Sequence, residues 1–329
     1  MEATRARILG IGAYSPERVL TNHDLEKMVD TSDAWILERT GISERHIAAE
    51  DEAASDLATQ AGRRAIADAG LSPDDIDLLI CASVTGDMPF PATACFVQAN
   101  LGLKNAAAFD IAAGCTGFLY GLNLVQGLIR GGAYRRVLLI GGEVLSRTLD
   151  WTDRATCVLL GDSAGAVVLG PAGDSDSGIL ATRVASDGTK ANLLYIPGGG
   201  SRNPASHRTV DERMHYFKMN GRETFKHATR NMAAIAKQVL EDSGLGLEDV
   251  DLLVPHQANL RIITYIAEQL GLPMEKVYTN VQRYGNTSSA SIPLALTEAR
   301  QNGRLKAGDV VLMVAFGAGL TWGATLLRW

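Results

Sequence analysis

The sequence has few cysteines, and their spacing is not that of a metal or disulfide framework. Cys81, Cys95, Cys115 and Cys157 are far apart among 329 residues, without a Cys-x-x-Cys pair or a Cys/His cluster. This spacing argues against disulfides and against a structural zinc site, so we expect no bound metal. Three of the four have apolar neighbours and are predicted to be small buried residues. Cys115 differs, because glycines lie close to it on both sides.

Long apolar runs and clusters of basic residues are also missing. No run approaches the roughly eighteen residues that span a membrane, and the start of the chain, MEATRARILG, has no apolar segment of signal-peptide length. The formal net charge is -6, which argues against a nucleic-acid partner. We therefore expect a cytoplasmic protein that binds neither nucleic acid nor membrane.

An internal repeat with an offset of 174 residues is the strongest pattern in the chain. DAGLSPDDIDLLI (68–80) aligns without gaps with DSGLGLEDVDLLV (242–254), and seven of the thirteen positions are identical. The same offset aligns VLLI (137–140) with VLMV (311–314). Two matches at one offset indicate duplication of a unit that alternates helices with strands.

Each copy alternates helical periodicity with short β-rich apolar runs, which is typical of a largely parallel sheet covered on both faces. The copies meet in GPAGDSDSG (170–178), whose composition is that of a connecting loop. We predict two similar α/β halves, residues 1–172 and 173–329. The polar segment 186–217 is predicted to be a loop insertion in the second half.

Two motifs of other enzyme classes occur without the context that they need. GDSAG (161–165) has the spacing of a nucleophile elbow, but AVVLG follows it as a strand instead of a helix, which predicts a β-hairpin turn. GIGAYSP (10–16) begins like a dinucleotide-binding fingerprint but lacks its third glycine and its helix. Neither a hydrolase nor a nicotinamide-dependent enzyme is favoured.

Cys115 lies in DIAAGCTGF (110–118), where a predicted strand ends and a predicted helix, GFLYGLNLVQGLIRGG, begins. The free N–H groups and the dipole of a helix N-terminus favour anions, so we expect a lowered thiol pKa and a nucleophilic role. A buried cysteine at the start of a helix is the alternative that this local context leaves open.

The second copy places polar residues where the first has alanines. At the repeat offset, His256 aligns with Ala82 at the end of a strand, and Asn286 aligns with Ala112, three residues before Cys115. Ligands of open α/β sheets bind at the carboxyl ends of strands, so these side chains are expected at one site. Asn286 alone would be interpreted as a helix cap. The turn AFGAGLTWG (315–323) can supply a backbone N–H to an oxyanion hole that includes Cys115.

Four motifs, DIAAGCTGF, VPHQANLRII, GNTSSASIP and FGAGLTWG, follow one another across nearly the whole chain. In this order and spacing they resemble the β-ketoacyl-[acyl-carrier-protein] synthase III family of the thiolase superfamily. The resemblance implies an α/β fold of two duplicated, thiolase-like βαβαβαββ halves, layered αβαβα with pseudo-twofold symmetry. It also implies a cytoplasmic homodimer that condenses an acyl-CoA primer with malonyl-acyl carrier protein by decarboxylative Claisen chemistry, initiating type II fatty acid synthesis. Acyl-CoA is then a substrate, and no cofactor is permanently bound.

The resemblance also implies roles for individual residues. Cys115 would be the acylated nucleophile, His256 and Asn286 would donate hydrogen bonds to the malonyl thioester oxygen, and the N–H groups of Cys115 and Ala318 would form the oxyanion hole. The family commonly has glycine at the position of Ala318, but a backbone donor tolerates a small side chain. Phe316 resembles the aromatic residue beside the carboxylate that is lost, with plain core packing as the alternative.

Substrate and partner contacts are implied in the same way. The helix predicted from TSDAWILERTGI (31–42) puts Trp35 and Arg39 on one face, where a surface cation–π pair is the alternative to a CoA adenine site. The residues implied to bind substrate are Trp35, Arg39 and Arg154 at the adenine, Gly221, Phe225 and Asn259 along pantetheine, and Phe90, which closes the acyl pocket of the partner subunit. The residues implied to receive the carrier protein are Lys226 and Arg261, with Glu268 and Gln269 where lysines are frequent.

The motifs leave the primer and the pathway open. A synthase III-like enzyme of a polyketide, quinolone or long-chain alkene pathway is the alternative, because the four motifs do not define the size of the acyl pocket or the acceptor. A non-catalytic subunit that only binds the carrier protein is disfavoured, since cysteine, histidine and asparagine are all retained. Primer length stays open because one methylene changes discrimination in an apolar pocket only about 10-fold to 200-fold.

Overall fold

The computed structural model describes residues 5–329. The strands are β1 (Ala6–Tyr14), β2 (Arg18–Thr21), β3 (Glu44–Ile47), β4 (Leu78–Ala82), β5 (Ala107–Ile111), β6 (Val137–Glu143), β7 (Ser163–Pro171), β8 (Gly178–Ser186), β9 (Leu194–Tyr195), β10 (Lys218–Met219), β11 (Leu252–Pro255), β12 (Val310–Gly317) and β13 (Thr321–Arg328). The helices are α1 (Asn22–Leu25), α2 (Asp33–Thr40), α3 (Ala54–Asp68), α4 (Thr93–Leu101), α5 (Gly117–Arg130), α6 (His207–Asp211), α7 (Gly221–Ser243), α8 (Leu260–Leu270), α9 (Val281–Tyr284) and α10 (Ser291–Gln301). None of these helices is long and apolar enough to cross a membrane.

Two mixed sheets form the centre of the molecule. The prediction of a largely parallel sheet is wrong, because β7 in one sheet and β13 in the other pair antiparallel with both of their neighbours. The larger has the order β1-β7-β6-β4-β5 and the other the order β11-β12-β13-β8. In the first sheet β4 and β6 are parallel with Leu78 opposite Val137, and in the second β11 and β12 are parallel with Leu252 opposite Val311. Both pairs of partners therefore differ by the 174-residue offset of the sequence repeat, which confirms the duplication.

The repeat extends to the turns that carry the candidate site residues. A short 3-10 turn, Gly114–Thr116, leads into α5, and the turn Ser288–Ala290 leads into α10 at the same offset. One element breaks the symmetry, because the second-half counterpart of β5 is only an isolated bridge between Leu253 and Val277. The division into residues 1–172 and 173–329 falls in the loop between β7 and β8 and stays a prediction.

Three hydrophobic cores define five layers. Helices α3 and α4 pack on the outer face of the larger sheet, α5 and α10 lie between the two sheets, and α7 and α8 cover the outer face of the other sheet. The central strands read as apolar runs because they are buried on both faces. This αβαβα arrangement confirms the fold class predicted from the sequence.

Close packing of α5 against β6 fixes the position of Cys115 at the carboxyl ends of the central strands. The apolar stripe of α5, which includes Phe118, Leu122 and Val125, is buried between the sheets. A Cβ atom built at Gly121 would lie only 2.4 Å from Cδ1 of Leu139, so only glycine lets helix and strand approach this closely.

Two loop predictions are corrected by the structure. The motif GDSAG (161–165) forms no hairpin turn, because Ser163 is the first residue of β7 and residues 144–162 separate β6 from β7. The Ser163 hydroxyl is buried and donates to the carbonyl of Tyr14 at 2.9 Å, so it is no nucleophile. The predicted loop 186–217 contains β9 and α6 and contributes part of the wall of the cavity described below.

Candidate active site

A cavity of about 1070 Å³ lies where the two halves meet, at the carboxyl ends of the central strands. It brings together the side chains of Cys115, His256 and Asn286, as the sequence predicted. The other predicted residues that line it are Trp35, Arg39, Gly221, Phe225, Asn259, Arg261, Phe316 and Ala318. The predicted residues that do not line it are Phe90, Arg154 and Lys226.

Cys115 lies in the 3-10 turn before α5, with part of its surface open to the cavity. Burial raises the pKa of its thiol to about 11, the neighbouring Ser288 hydroxyl acts in the opposite direction, and the nearby Glu143 carboxylate raises the pKa further. The predicted lowering of this pKa is wrong for the free protein. The physical reason is that burial outweighs the stabilisation of a thiolate by the helix N-terminus.

His256 follows β11, and its backbone N–H donates to the carbonyl of Val314 at 2.8 Å. Its ring is buried, which lowers the pKa to about 3, so the imidazole is neutral near pH 7. Nδ1 lies 2.7 Å from the hydroxyl of Ser291, whose oxygen also accepts from the N–H of Gln257 at 3.4 Å. We assign Ser291 as the donor to Nδ1, which leaves the proton on Nε2. His256 then acts as a neutral hydrogen-bond donor.

Asn286 is fixed by both its backbone and its side chain. Its N–H donates to Leu159 at 2.8 Å, and its carbonyl accepts from Gly161 at 3.0 Å. The side-chain Oδ1 accepts from the N–H of Ser288 at 2.9 Å. Since the oxygen is used in this way, the Nδ2 group is the part of the carboxamide that can donate to a ligand.

Two backbone N–H groups beside Cys115 are free to bind an oxyanion. Those of Cys115 and Ala318 have no hydrogen-bond acceptor among residues 5–329. The two segments touch, because a Cβ built at Gly114 would lie 2.9 Å from the nitrogen of Ala318. The hydroxyl of Thr321 lies 2.9 Å from the Ala318 carbonyl and 3.0 Å from that of Ala113, and these contacts hold the two turns together.

An aromatic and cationic cluster lies at the entrance. Ser32 caps α2 by accepting from the N–H of Trp35 at 3.2 Å. The guanidinium carbons of Arg39 and Arg154 lie 4.7 and 5.1 Å from the Trp35 ring centroid. Arg154 is also paired with Asp30 at 3.5 Å, so it reaches the ring without lining the cavity. An aromatic face flanked by two cations suits a base with attached phosphates.

The passage inward runs between α7 and α8. Phe225 packs edge to face against Tyr265 with ring centroids 6.1 Å apart. Asn259 caps α8, since its Oδ1 accepts from Arg261 at 2.8 Å while its Nδ2 donates to the Arg39 carbonyl at 3.0 Å. Asn259 therefore ties the rim to the entrance cluster and keeps one N–H for a ligand.

Four polar residues that sequence reasoning did not single out support the site: Glu143, Ser288, Ser291 and Thr321. Ser288 and Ser291 lie in the quoted motif GNTSSASIP, but nothing local distinguishes them from cap residues. Glu143 had a usable signal, since it is a carboxyl group that ends an apolar strand buried on both faces. The contacts of Thr321 join segments more than 200 residues apart and leave no local pattern.

The duplicated five-layer fold, with a thiol, an imidazole and a carboxamide around one cavity, defines a thiolase-like condensing enzyme. Residues 109–188 match the family described as 3-Oxoacyl-[acyl-carrier-protein (ACP)] synthase III, and residues 240–329 match its C-terminal part. The chain belongs to the β-ketoacyl-[acyl-carrier-protein] synthase III family, a family of acyl-transferring enzymes of fatty acid biosynthesis.

Full-length relatives agree with this assignment. The chain is 55% identical over 328 residues to beta-ketoacyl-[acyl-carrier-protein] synthase III of Caldanaerobacter subterraneus subsp. tengcongensis, covering 100% of this chain and 99% of the relative. It is 57% identical to the protein of the same name from Symbiobacterium thermophilum, over 98% of this chain and 97% of the relative. The crystal structure of 3-oxoacyl-[acyl-carrier-protein] synthase III from Aquifex aeolicus superposes with a TM-score of 0.91 at 50% identity, covering 98% of this chain and 100% of that chain.

Proposed function

We propose that this protein condenses an acyl-CoA primer with malonyl-acyl carrier protein through an acyl-Cys115 intermediate, and so initiates type II fatty acid synthesis. One observation carries the proposal: a single cavity holds the Cys115 thiol, a neutral His256, an Asn286 carboxamide oriented to donate and two free backbone N–H groups. Full-length relatives carry the name of this activity, so the alternative pathways are not favoured.

In the first half-reaction the Cys115 sulfur attacks the thioester carbon of acyl-CoA. The N–H groups of Cys115 and Ala318 stabilise the oxyanion, and the collapse of the intermediate breaks the carbon–sulfur bond to CoA. The thiol proton leaves Cys115 and the CoA thiolate takes one up, so the exchange of one thioester for another is balanced. Because the free thiol has a raised pKa, we expect deprotonation to occur together with substrate binding.

In the second half-reaction the malonyl thioester loses carbon dioxide. The electron pair of the broken carbon–carbon bond delocalises onto the thioester oxygen, where Nε2 of His256 and Nδ2 of Asn286 donate hydrogen bonds. The enolate carbon attacks the acyl-Cys115 carbonyl, and collapse expels the Cys115 thiolate, which takes up a proton. Phe316, buried at the cavity wall, gives the departing carboxylate an apolar neighbour that favours its loss as neutral carbon dioxide.

Acyl-CoA enters from the side of Trp35. The adenine would stack on the Trp35 ring with Arg39 and Arg154 at its phosphates, while pantetheine would pass Gly221 and Phe225 toward Cys115. CoA is in this scheme a substrate that leaves after the first half-reaction, and no permanently bound cofactor is invoked.

The carrier protein would dock on exposed basic residues at the rim. Lys226 lies on the solvent face of α7 and Arg261 on the first turn of α8. Glu268 lies on the exposed face of α8 and weakens the local positive potential. We expect Lys226→Glu to lower kcat/KM for malonyl-acyl carrier protein about tenfold, more strongly at low salt, and to leave Cys115 acylation by acyl-CoA unchanged. Equal loss of both half-reactions would contradict docking at this face.

A homodimer would form along β5. This strand is hydrogen-bonded only to β4 and ends the larger sheet, and Phe109 on it is exposed. Phe90, 83% exposed, lies on the loop before α4, whose first N–H groups bond to Asp110 of the same strand. A second copy paired on this edge would cover both aromatic rings, and Phe90 would reach the acyl pocket of the partner. Light scattering should give the mass of a dimer, and a monomer would contradict this assembly.

The decisive experiment labels the protein with acyl-CoA alone. A panel of straight, branched and longer primers should each add its acyl mass to the Cys115 peptide in proportion to its use, and Cys115→Ala should carry no label. Addition of malonyl-acyl carrier protein should then release β-ketoacyl-carrier protein and carbon dioxide. Consumption of malonyl-CoA or of a ketoacyl acceptor instead would favour the polyketide, quinolone or alkene alternative.

We also propose that this protein is located in the cytoplasm, where enzymes that initiate type II fatty acid synthesis act.

A further inference from the structure

Glu143 is a buried carboxyl group that the mechanism above does not use. It is the last residue of β6, and none of its surface is exposed. The ion pairs found among residues 5–329 do not include it. A buried carboxylate without a counter-ion is costly unless hydrogen bonds satisfy it.

The carboxyl group joins two segments of the cavity wall. Oε1 accepts from the hydroxyls of Ser288 and Ser289, each at 3.0 Å. Oε2 accepts from three donors of the loop after β4, which are the hydroxyl of Thr85 at 2.6 Å, the N–H of Val84 at 3.1 Å and the hydroxyl of Ser83 at 3.2 Å. Burial raises the pKa of Glu143, and these donors act against that rise. Four donors are committed to the two oxygens, and the Ser289 hydroxyl is shared with the Ala82 carbonyl at 2.8 Å; these contacts suit the ionised form.

Ser288 connects Glu143 to the reacting groups. The turn Ser288–Ala290 packs on the turn that carries Cys115, and Ser288 and Cys115 both line the cavity. A hydroxyl has one hydrogen, so donation to Glu143 at 3.0 Å keeps the Ser288 hydrogen away from the Cys115 sulfur. Ser288 also has a φ of 50°, in the left-handed region, and its N–H orients the Asn286 carboxamide.

The sequence repeat allows the surroundings of Glu143 to be compared with those of the corresponding residue in the second copy. At the 174-residue offset Glu143 aligns with Gly317, and Ser289 aligns with Cys115. In the first copy the nucleophile packs against the bare backbone of Gly317, whereas the corresponding serine is hydrogen-bonded to a carboxylate. The fold therefore does not require an acid at this position, so a role other than folding must explain the presence of Glu143.

We propose that Glu143 is a positioning residue for the condensation: its carboxylate fixes the turn that carries Asn286 and Ser288 and holds the Ser288 hydrogen away from Cys115. This inference rests on the roles proposed for Cys115 and Asn286. The carboxylate keeps the sulfur in its thiol form until acyl-CoA binds and keeps the carboxamide aligned for the enolate. Glu143 is the charged group that acts on Cys115, the neutral His256 lines the same cavity, and Cys81 is another titratable neighbour of Glu143.

Glu143→Gln tests this role because it keeps the shape and removes the charge. The new amide would donate to Ser288, whose hydrogen could then be donated to Cys115, so the thiol pKa should fall. Alkylation of Cys115 by iodoacetamide at pH 8, followed on its peptide by mass spectrometry, should become about tenfold faster. The kcat of condensation should fall about tenfold or more, with KM for acyl-CoA changed less than about twofold. General damage to the site would slow both reactions.

Two further variants make the outcome decisive. Asp162→Asn is the matched control, because Asp162 is equally buried but accepts from Ala48 and Ser146 instead of Ser288, and it should leave the alkylation profile unchanged. Glu143→Asp keeps the charge if the amide is not tolerated; its alkylation should match the wild type while condensation falls. Alkylation needs no substrate, so it reports on Glu143 even if the proposed reaction is wrong. An unchanged Cys115 profile in Glu143→Gln, or faster alkylation in Glu143→Asp as well, would overturn the inference.

Discussion

Gly317 offers a direct way to test the oxyanion hole without changing any functional group. A Cβ atom built at this position would lie 2.6 Å from the backbone nitrogen of Cys115 and 3.1 Å from its Cβ. Ordinary contact begins near 3.4 Å, so Gly317→Ala requires a separation of roughly 0.8 Å between two backbone segments. The nitrogen that must move is the one that should bind the oxyanion.

The size of the effect follows from this displacement. A misplacement of about 1 Å at a reacting centre costs about 100-fold, and loss of one oxyanion-hole donor costs about 100-fold to 1000-fold. We therefore expect Gly317→Ala to slow the acylation of Cys115 by acyl-CoA about 100-fold, measured by rapid quench and mass spectrometry. Overpacking of the buried contact should lower the free energy of unfolding by about 1–3 kcal/mol.

Gly127→Ala is the matched control, because Gly127 lies on α5, the helix that begins beside Cys115, and a Cβ there would meet no atom within 4 Å. It should acylate at the wild-type rate and unfold at a free energy higher by about 1 kcal/mol, since alanine favours the helix. If Gly317→Ala acylated as fast as Gly127→Ala in protein that is still folded, the assignment of the Cys115 N–H to the oxyanion hole would be wrong.

The remaining predictions concern His256, Ser291 and Trp35. Burial holds the pKa of His256 near 3, below its ordinary value of 6.5, so only the unfolded chain is protonated between these values. As the pH falls from 6.5 toward 3, the free energy of unfolding should therefore fall by a few kcal/mol, at about 1.4 kcal/mol per pH unit. Urea titrations of His256→Asn should lack this pH-dependent loss of stability. Ser291→Ala removes the hydrogen-bond donor to Nδ1 of His256, so malonyl decarboxylation should slow about tenfold or more while Cys115 acylation persists. Equal slowing of both steps would contradict the tautomer assigned to His256. Trp35→Ala should raise KM for acyl-CoA about tenfold with kcat unchanged, and the KM of Trp35→Phe should lie between those of the wild type and Trp35→Ala. An unaltered KM in Trp35→Ala would leave Trp35 as a surface cation–π residue.

The sequence allowed the fold to be predicted because the repeat and the strand periodicity are local signals. Buried strands such as β4 and β6 are short continuous apolar runs, and the offset of 174 residues relates their registers without any structure. The same offset could not show that the second-half counterpart of β5 fails to pair as a strand, because this depends on what each edge meets in space.

The composition of the site was predictable, but its electrostatics were not. Cys115, His256 and Asn286 were found from strand-end positions, yet the thiol pKa was predicted in the wrong direction. A helix N-terminus is visible in a sequence, whereas the burial that opposes it and the carboxylate of Glu143 become visible only when β6 and the turn after Asn286 are brought together.

The repeat explains why the chain builds one site instead of two. The counterpart of His256 in the first copy is Ala82, and the counterpart of Ser291 is Gly117. In the second copy the pair is joined by a hydrogen bond of 2.7 Å, whereas in the first a Cβ built at Gly117 would lie 3.0 Å from the Cβ of Ala82. An imidazole has no room in so close a contact. In the first copy, the helix that begins at Gly117 therefore packs tightly on the strand end at Ala82 and presents the Cys115 thiol. In the second copy, the wider spacing leaves room for the imidazole that donates to the enolate.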